Sequence, residues 1–354
     1  MKARFTILLV SVFLFTSFLS GQDRGMKPVQ VPVDGKTTTL YNSSHALLIG
    51  AVDYQSGWPQ LPGVRDEVTM LKSALERNGF AVEVVMNPTS DQLYRAFTDF
   101  INLYGQDLDN RLLFFFAGHG YTLKTAWGEE LGYLVPVNAP NPNYDPGEFQ
   151  NQAMEMAQVE IYARRLQAKH ALFIFDACFS GSLFSNTRSI PEIITYKTTL
   201  PVRQFITSGS AEETVPDKSI FAELFVRALE GEADLDRNDY ITGSELGDYL
   251  QSNVVNYTMS RQHPQYGKIR NPNLDKGDFV FPVSSEETAV SPGTTVSTTI
   301  ATPPRTTVTH PRATVTTPRP TDIKSQREID EMNREINEFT PMAFVEGGTY
   351  LMGA

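Results

Sequence analysis

The stretch ALFIFDACFSG, residues 171–181, places the only cysteine of the chain, Cys178, just past a short apolar run. A second stretch, RLLFFFAGHG at residues 111–120, closes its apolar run with His119 between two glycines. Each run is aromatic-rich, too short for a helix and about right for a buried strand, and each ends in small residues that break a ladder. Parallel strands of an open α/β sheet point their carboxyl ends into a shared crevice, so Cys178 and His119 are expected to face each other there. A thiol needs a nearby base to become a thiolate, and strand ends are rigid places from which to present both partners. Taken singly, a cysteine is more often a small buried hydrophobe and a histidine a satisfied structural group. Finding both in small-residue turns after apolar strands favours a nucleophile and its base.

Outward from these two strands, apolar segments and helical periods alternate. Strands are expected at ALLIGAV, FAVEVVM, GYLVPV and QFITSG, and helices at 65–77, 90–103, 153–167, 219–230 and 243–257. Val68, Leu71 and Leu75 give the first helix its apolar spacing, and Gly79 stops it. Such alternation implies an α/β fold with a mostly parallel sheet covered by helices on both faces.

FFFAGHG and FDACFSG resemble the histidine and cysteine motifs of the caspase and metacaspase superfamily of cysteine peptidases. The resemblance extends from about Ser44 to Pro282 and takes in ALLIGAVDY, LPGVRDEVTMLKSALERNGF, LGYLVPVNA, ITSGSAEE and GDFVF in family order. It implies a caspase-like three-layer sandwich and an endopeptidase that needs no organic cofactor. Carried over residue by residue, it makes Cys178 the nucleophile, His119 the base, and the amides of Gly120 and Cys178 the oxyanion hole. The family works as a dyad, so no third residue is required to orient the histidine. A legumain- or gingipain-like cysteine hydrolase shares the His-Gly and Ala-Cys arrangement, and a non-catalytic scaffold on the same fold is the other alternative.

Charge bears on specificity. Caspases that cut after aspartate resemble QACRG around the nucleophile, whereas here Asp176 precedes the cysteine by two and Phe179 follows it. A carboxylate in that pocket repels acidic side chains and attracts basic ones. Asp66 aligns with a second acidic pocket residue of metacaspases, so the expected substrates are proteins or peptides with Arg, then Lys, before the scissile bond. The alternative for Asp66 is an exposed acid in the first turn of a helix. Metacaspases often carry DSCHSG and YSGHG; Phe179 and Ala117 depart from that pattern.

The 354 residues include 41 acids and 30 bases, a net charge of −11, which argues against nucleic acid or anionic membrane surfaces as partners. MKAR followed by FTILLVSVFLFTSFL and SGQD resembles a secretory signal peptide over 1–21, with an uncleaved anchor as the alternative, so the chain is expected to be exported. Residues 22–43 are polar and turn-rich and are assigned as a leader, 44–282 as the peptidase domain. The Thr/Pro-rich stretch 283–325 is a linker open to O-glycosylation, and 326–340 a short charged helix. The closing segment 341–354, PMAFVEGGTYLMGA, resembles the start of a formylglycine-generating, sulfatase-modifying enzyme domain and is read as its truncated beginning. Arg188, in the connection after the cysteine strand, is either a self-processing site or an ordinary loop arginine.

A second constellation is DLDRNDYITGSE, residues 234–245. Asp234, Asp236, Asn238 and Glu245 fall at the oxygen-ligand spacing of a calcium loop, with Tyr240 offering its carbonyl. Asp239 occupies the position where glycine makes the sharp turn. The loop is therefore either a calcium site, with calcium as a possible activator, or a polar loop whose acids cap the following helix.

Overall fold

The computed structural model describes residues 27–33, 35–177, 194–210, 213 and 219–283, and the backbone of 178, 184–186, 342–345 and 348–351. The signal segment, Arg188, the helix at 326–340 and nearly all of the Thr/Pro-rich linker lie outside the described residues.

The described elements run β1 (Val29–Val33), β2 (Lys36–Tyr41), β3 (Ser43–Gly50), α1 (Val64–Arg77), β4 (Ala81–Met86), α2 (Ser90–Tyr104) and β5 (Asn110–Ala117). They continue with β6 (Gly120–Lys124), β7 (Glu130–Leu134), α3 (Pro146–Gln152), β8 (Met154–Glu155), α4 (Met156–Arg165) and β9 (His170–Cys178). Then come β10 (Phe184–Asn186), β11 (Val202–Gly209), α5 (Ile220–Arg227), β12 (Tyr240–Thr242), α6 (Gly243–Tyr257), β13 (Gln265–Ile269) and β14 (Val280–Pro282). Separately, β15 (Met342–Val345) and β16 (Gly348–Leu351) pair as an antiparallel hairpin in the C-terminal unit, residues 289–354.

The central sheet has seven strands in the order β10-β13-β11-β9-β5-β3-β4. From β11 to β4 every pairing is parallel, and on the other side β13 pairs antiparallel with β11 and the edge strand β10 antiparallel with β13. Alternate residues of β3, β5 and β9 serve opposite faces. Leu47, Phe114 and Phe173 meet α2 and α4, whereas Leu48, Phe115 and Ile174 meet α1, α5 and α6. On the first face an aromatic ladder runs across the sheet: Phe97 stacks on Phe114, Phe114 on Phe173 at 4.5 Å, and Phe173 on Phe205 at 5.0 Å. The paired residues sit opposite each other in register, so the ladder rewards one alignment of β5, β9 and β11.

Among the elements that differ from the sequence reading are a hairpin and two helices. Residues 29–41, assigned to a leader, form the β1–β2 hairpin, whose Val29, Val31, Val33 and Leu40 pack with Ile194 and Val280. The segment VQVPVDGKTTTLY alternates apolar and polar residues around Asp34-Gly35, a strong hairpin signal, and Gly35 takes the positive φ of 75° that the turn demands. Helix α3 was not expected, although Asp145 caps it by accepting the Glu148 N–H and Pro146 starts it. The helix expected at 153–167 is shorter, Met156–Arg165, because Ala153 already ends α3.

At the amino ends of the strands the buried charges are fully engaged. Arg203 donates from Nε to Ala163 O, from Nη1 to Lys169 O and Val202 O, and from Nη2 to Leu166 O, all within 3.0 Å. Arg203→Ala removes these four bonds, leaving Lys169 O only its bond from the Val202 amide, and is expected to lower stability by about 3–5 kcal/mol. A urea midpoint that does not fall would contradict this.

Candidate active site

Beyond β3 the chain forms the loop 51–63, which folds over the carboxyl end of β5. Asn87 Oδ1 accepts from the amides of Val52 and Asp53 at 2.8 and 2.9 Å, and the Gln55 amide donates to Val137 O at 2.8 Å. This loop carries Tyr54, Trp58 and Pro59 to His119. The buried Tyr54 hydroxyl accepts the His119 backbone N–H at 2.7 Å and donates to Val135 O at 3.0 Å. The Val135 amide in turn donates to His119 O at 3.1 Å, so the histidine backbone is held from both sides. Gly118 is required here, since a Cβ would lie 2.6 Å from the Tyr54 hydroxyl.

The imidazole ring lies 4.6 Å from the Tyr54 ring and stacks on Trp58 at 5.1 Å. Trp58 is itself pinned by its indole N–H, which donates to Ala139 O at 3.1 Å. His119 Nε2 is 2.9 Å from Pro59 O. A carbonyl can only accept, so Nε2 carries the hydrogen and Nδ1 keeps its lone pair. Burial pushes the His119 pKa below its ordinary value, and the Pro59 carbonyl opposes that shift. The ring is therefore a neutral base with one nitrogen committed and the other available.

Register places the cysteine. Ala117 of β5 pairs with Asp176 of β9, and the Gly118 amide donates to Asp176 O at 3.3 Å. His119 and Cys178 each lie two residues beyond that pair, at the same end of adjacent strands. On its other side the Cys178 backbone pairs with Gly209 after a register shift in β11. Gly120 opens β6 opposite Leu134. The other described histidines are elsewhere and have structural partners. His45 stacks on Tyr104, His170 is buried with Nδ1 2.6 Å from the Tyr41 hydroxyl, and His263 pairs with Glu213.

Asp176 is buried, and burial raises its pKa above the ordinary carboxylate range. The hydroxyls of Ser219 and Ser208 lie near enough to lower it partly, yet neither carboxylate oxygen has a well-formed hydrogen bond among the described residues. Ser208 Oγ is likewise buried without a partner.

Asp66 is one of the two acids in the first turn of α1. It is exposed, and the buried acid of that helix is Glu67, whose Oε1 accepts the Ser219 amide at 2.7 Å. The reason is helical register: Val64, Val68, Leu71 and Leu75 define the inward stripe, which includes position 67 and excludes 66. Ser219 thus brings Glu67 to the Asp176 side of the crevice. The acids of the expected calcium loop lie at the other end of the sheet, where β12 pairs with β14 and Arg111, near the start of β5, donates to Val280 O.

Pro59, Tyr54 and Trp58 were not foreseen as partners of His119. Tyr54→Phe is expected to cost about 1–3 kcal/mol and to speed hydrogen exchange at the His119 amide. Unchanged exchange at that amide would show the clamp to be unimportant.

The family model for the caspase domain matches residues 43–302. No curated protein sequence matches the chain. Among solved structures, caspase-1 from Spodoptera frugiperda is similar at 15% identity and a TM-score of 0.45, covering 66% of this chain and 89% of its own. A structural-genomics target from Geobacter sulfurreducens is similar at 13% identity and a TM-score of 0.44, covering 66% of this chain and 97% of its own.

Proposed function

The chain belongs to the caspase-domain family, and from that membership we propose that it is a cysteine endopeptidase with Cys178 as nucleophile and His119 as base. The observation that carries this reading is the committed Nε2 of His119, which leaves Nδ1 to serve the residue that register sets beside it. In the proposed reaction the Cys178 thiol gives its proton to Nδ1, and the sulfur attacks the substrate carbonyl carbon. The resulting oxyanion is held by the amides of Gly120 and Cys178. Collapse breaks the C–N bond, the imidazolium protonates the leaving amine, and water, deprotonated by His119, hydrolyses the thioester to regenerate the thiol.

The specificity proposed is for Arg, then Lys, before the scissile bond. A buried carboxylate with both oxygens unpartnered is costly, and a guanidinium supplies the charge and the paired donors that it lacks. The second acid proposed for the pocket is Asp66, exposed at the start of α1, next to the buried Glu67, whose Oε1 accepts the Ser219 amide. We further propose that the chain is exported through its N-terminal apolar segment, and that FVEGGTYLMG begins a sulfatase-modifying-enzyme-like domain with no part in the proteolysis.

The test is hydrolysis of fluorogenic peptides ending in Arg, Lys or Asp by the full chain, which retains the β1–β2 hairpin. Cleavage after Arg is expected to exceed that after Lys, and Cys178→Ala is expected to abolish both. Cleavage only after Asp would sink the pocket assignment, and activity surviving in Cys178→Ala would sink the nucleophile. Asp176→Asn is expected to reduce kcat/KM for the Arg peptide about 100-fold.

The same substitution has an expected effect on stability. The folded-state pKa of Asp176 is raised, so its contribution to stability is present below the unfolded carboxyl pKa and is lost as pH rises through the folded value. At neutral pH the charged group opposes folding, and Asp176→Asn is expected to gain about 2 kcal/mol there, a gain that vanishes in acid. Denaturation midpoints at pH 4 and pH 7 check the sign.

A further inference from the structure

The loop 234–245 stands apart from the proposed active site, and its geometry goes beyond its sequence pattern. Asp234 accepts from the Asn238 amide at Oδ1 and from the Asp239 amide at Oδ2, each at 3.0 Å, which curls the loop around the first acid. The sharp turn forms without glycine: Asp239 adopts φ 68° and Arg237 φ 58°, left-handed values that aspartate tolerates better than most residues. One carboxylate oxygen from each of Asp234, Asp236 and Glu245 lies within 4.8 Å of the others, about twice a Ca–O distance of roughly 2.4 Å.

Glu245 supplies the independent observation. Its residue is 1% exposed, and Oε2 is fully used in capping α6, accepting from Thr242 N and Thr242 Oγ1 at 2.8 and 2.9 Å. Oε1 is buried and has no hydrogen-bond partner among the described residues. A cap alone needs one oxygen; the second is left in a low-polarity site beside two more acids.

We propose that residues 234–245 form a calcium site in which Asp234, Asp236, Glu245 and the Tyr240 carbonyl bind one ion, with Asn238 completing the shell by its side-chain oxygen. Oxygen donors on a loop of this reach suit calcium better than magnesium, which demands a tighter octahedron. The ion has a structural role. β12 within the loop pairs with β14, placing Ile241 opposite Phe281, and the Tyr240 hydroxyl donates to Gln30 O of the β1–β2 hairpin. Calcium therefore fastens together α6, the strand that ends the described domain, and the N-terminal hairpin.

The proposal does not depend on peptidase activity, and its test does not read activity. The full chain, freed of metal by chelation, is titrated with calcium chloride by calorimetry, and its melting temperature is followed in parallel with calcium and with magnesium. Glu245→Gln keeps the cap, because glutamine serves at that position of a capping box, but it removes the ligand charge. One ion is expected to bind with a dissociation constant of about 10⁻⁴–10⁻³ M or tighter, and calcium is expected to raise the melting temperature more than magnesium. Glu245→Gln, folded in the absence of metal, is expected to weaken binding at least about tenfold, and Asp236→Asn, at an exposed position, to weaken it similarly. Absence of binding at 10⁻² M calcium, or equal affinity in both variants, would overturn the assignment.

Discussion

The parallel, in-register pairing of β5 with β9 is the constraint from which the site follows. It sets Ala117 against Asp176, and so carries His119 and Cys178 to one level at the carboxyl edge of the sheet. A slip of one residue would turn the aromatic side chains to the wrong faces and separate Phe114 from Phe173. The same stacking that fills the core thus fixes the backbone level of these two residues. Fold and chemistry share one determinant here.

His119 shows what the scaffold must add to register. Strand geometry delivers a backbone position, whereas a base also needs a defined tautomer and ring plane. The loop after β3 provides both, through the Pro59 carbonyl at Nε2 and the Tyr54 and Trp58 rings. The histidine is therefore oriented by main chain rather than by a third ionisable side chain.

The two motif strands, their parallel neighbours and the helical coverage were legible because each was written in local periodicity. Apolar runs closed by glycine gave β5 and β9, and helical spacing gave α1, α2 and α6 at nearly their observed limits. The clamp on His119 was not legible, because Tyr54, Pro59 and Trp58 meet it through a loop whose path depends on Asn87 and Val137, far along the chain. The burial of Glu67 is of another kind: its signal was present in the stripe of Val64, Val68 and Leu71, which includes position 67. The β1–β2 hairpin was likewise written in the sequence, in the alternation of valines before Asp34-Gly35, but polar composition outweighed the period.

Polar satisfaction divides the molecule into regions of different purpose. Near the amino ends of the strands, Arg111 donates to Ser44 Oγ, Asn78 O and Val280 O and lies over the Phe80 ring, while His170 engages Tyr41 and Leu200. Those buried groups hold the sheet, the hairpin and the last strand together, and they are complete within the chain. Among the described residues, Asp176 and Ser208 at the carboxyl ends and Glu245 at the capped start of α6 keep buried oxygens unpaired, as do the side chains of Asn78, Gln262 and Gln265. Each such atom opposes folding by a free energy that the chain alone does not recover. A sequence that satisfies Arg111 and Arg203 so thoroughly is able to satisfy Asp176 and Glu245 as well. Left open in this way, one near the carboxyl ends of the strands and one among the acids of the 234–245 loop, they are the two places on which the proposed substrate and calcium readings rest.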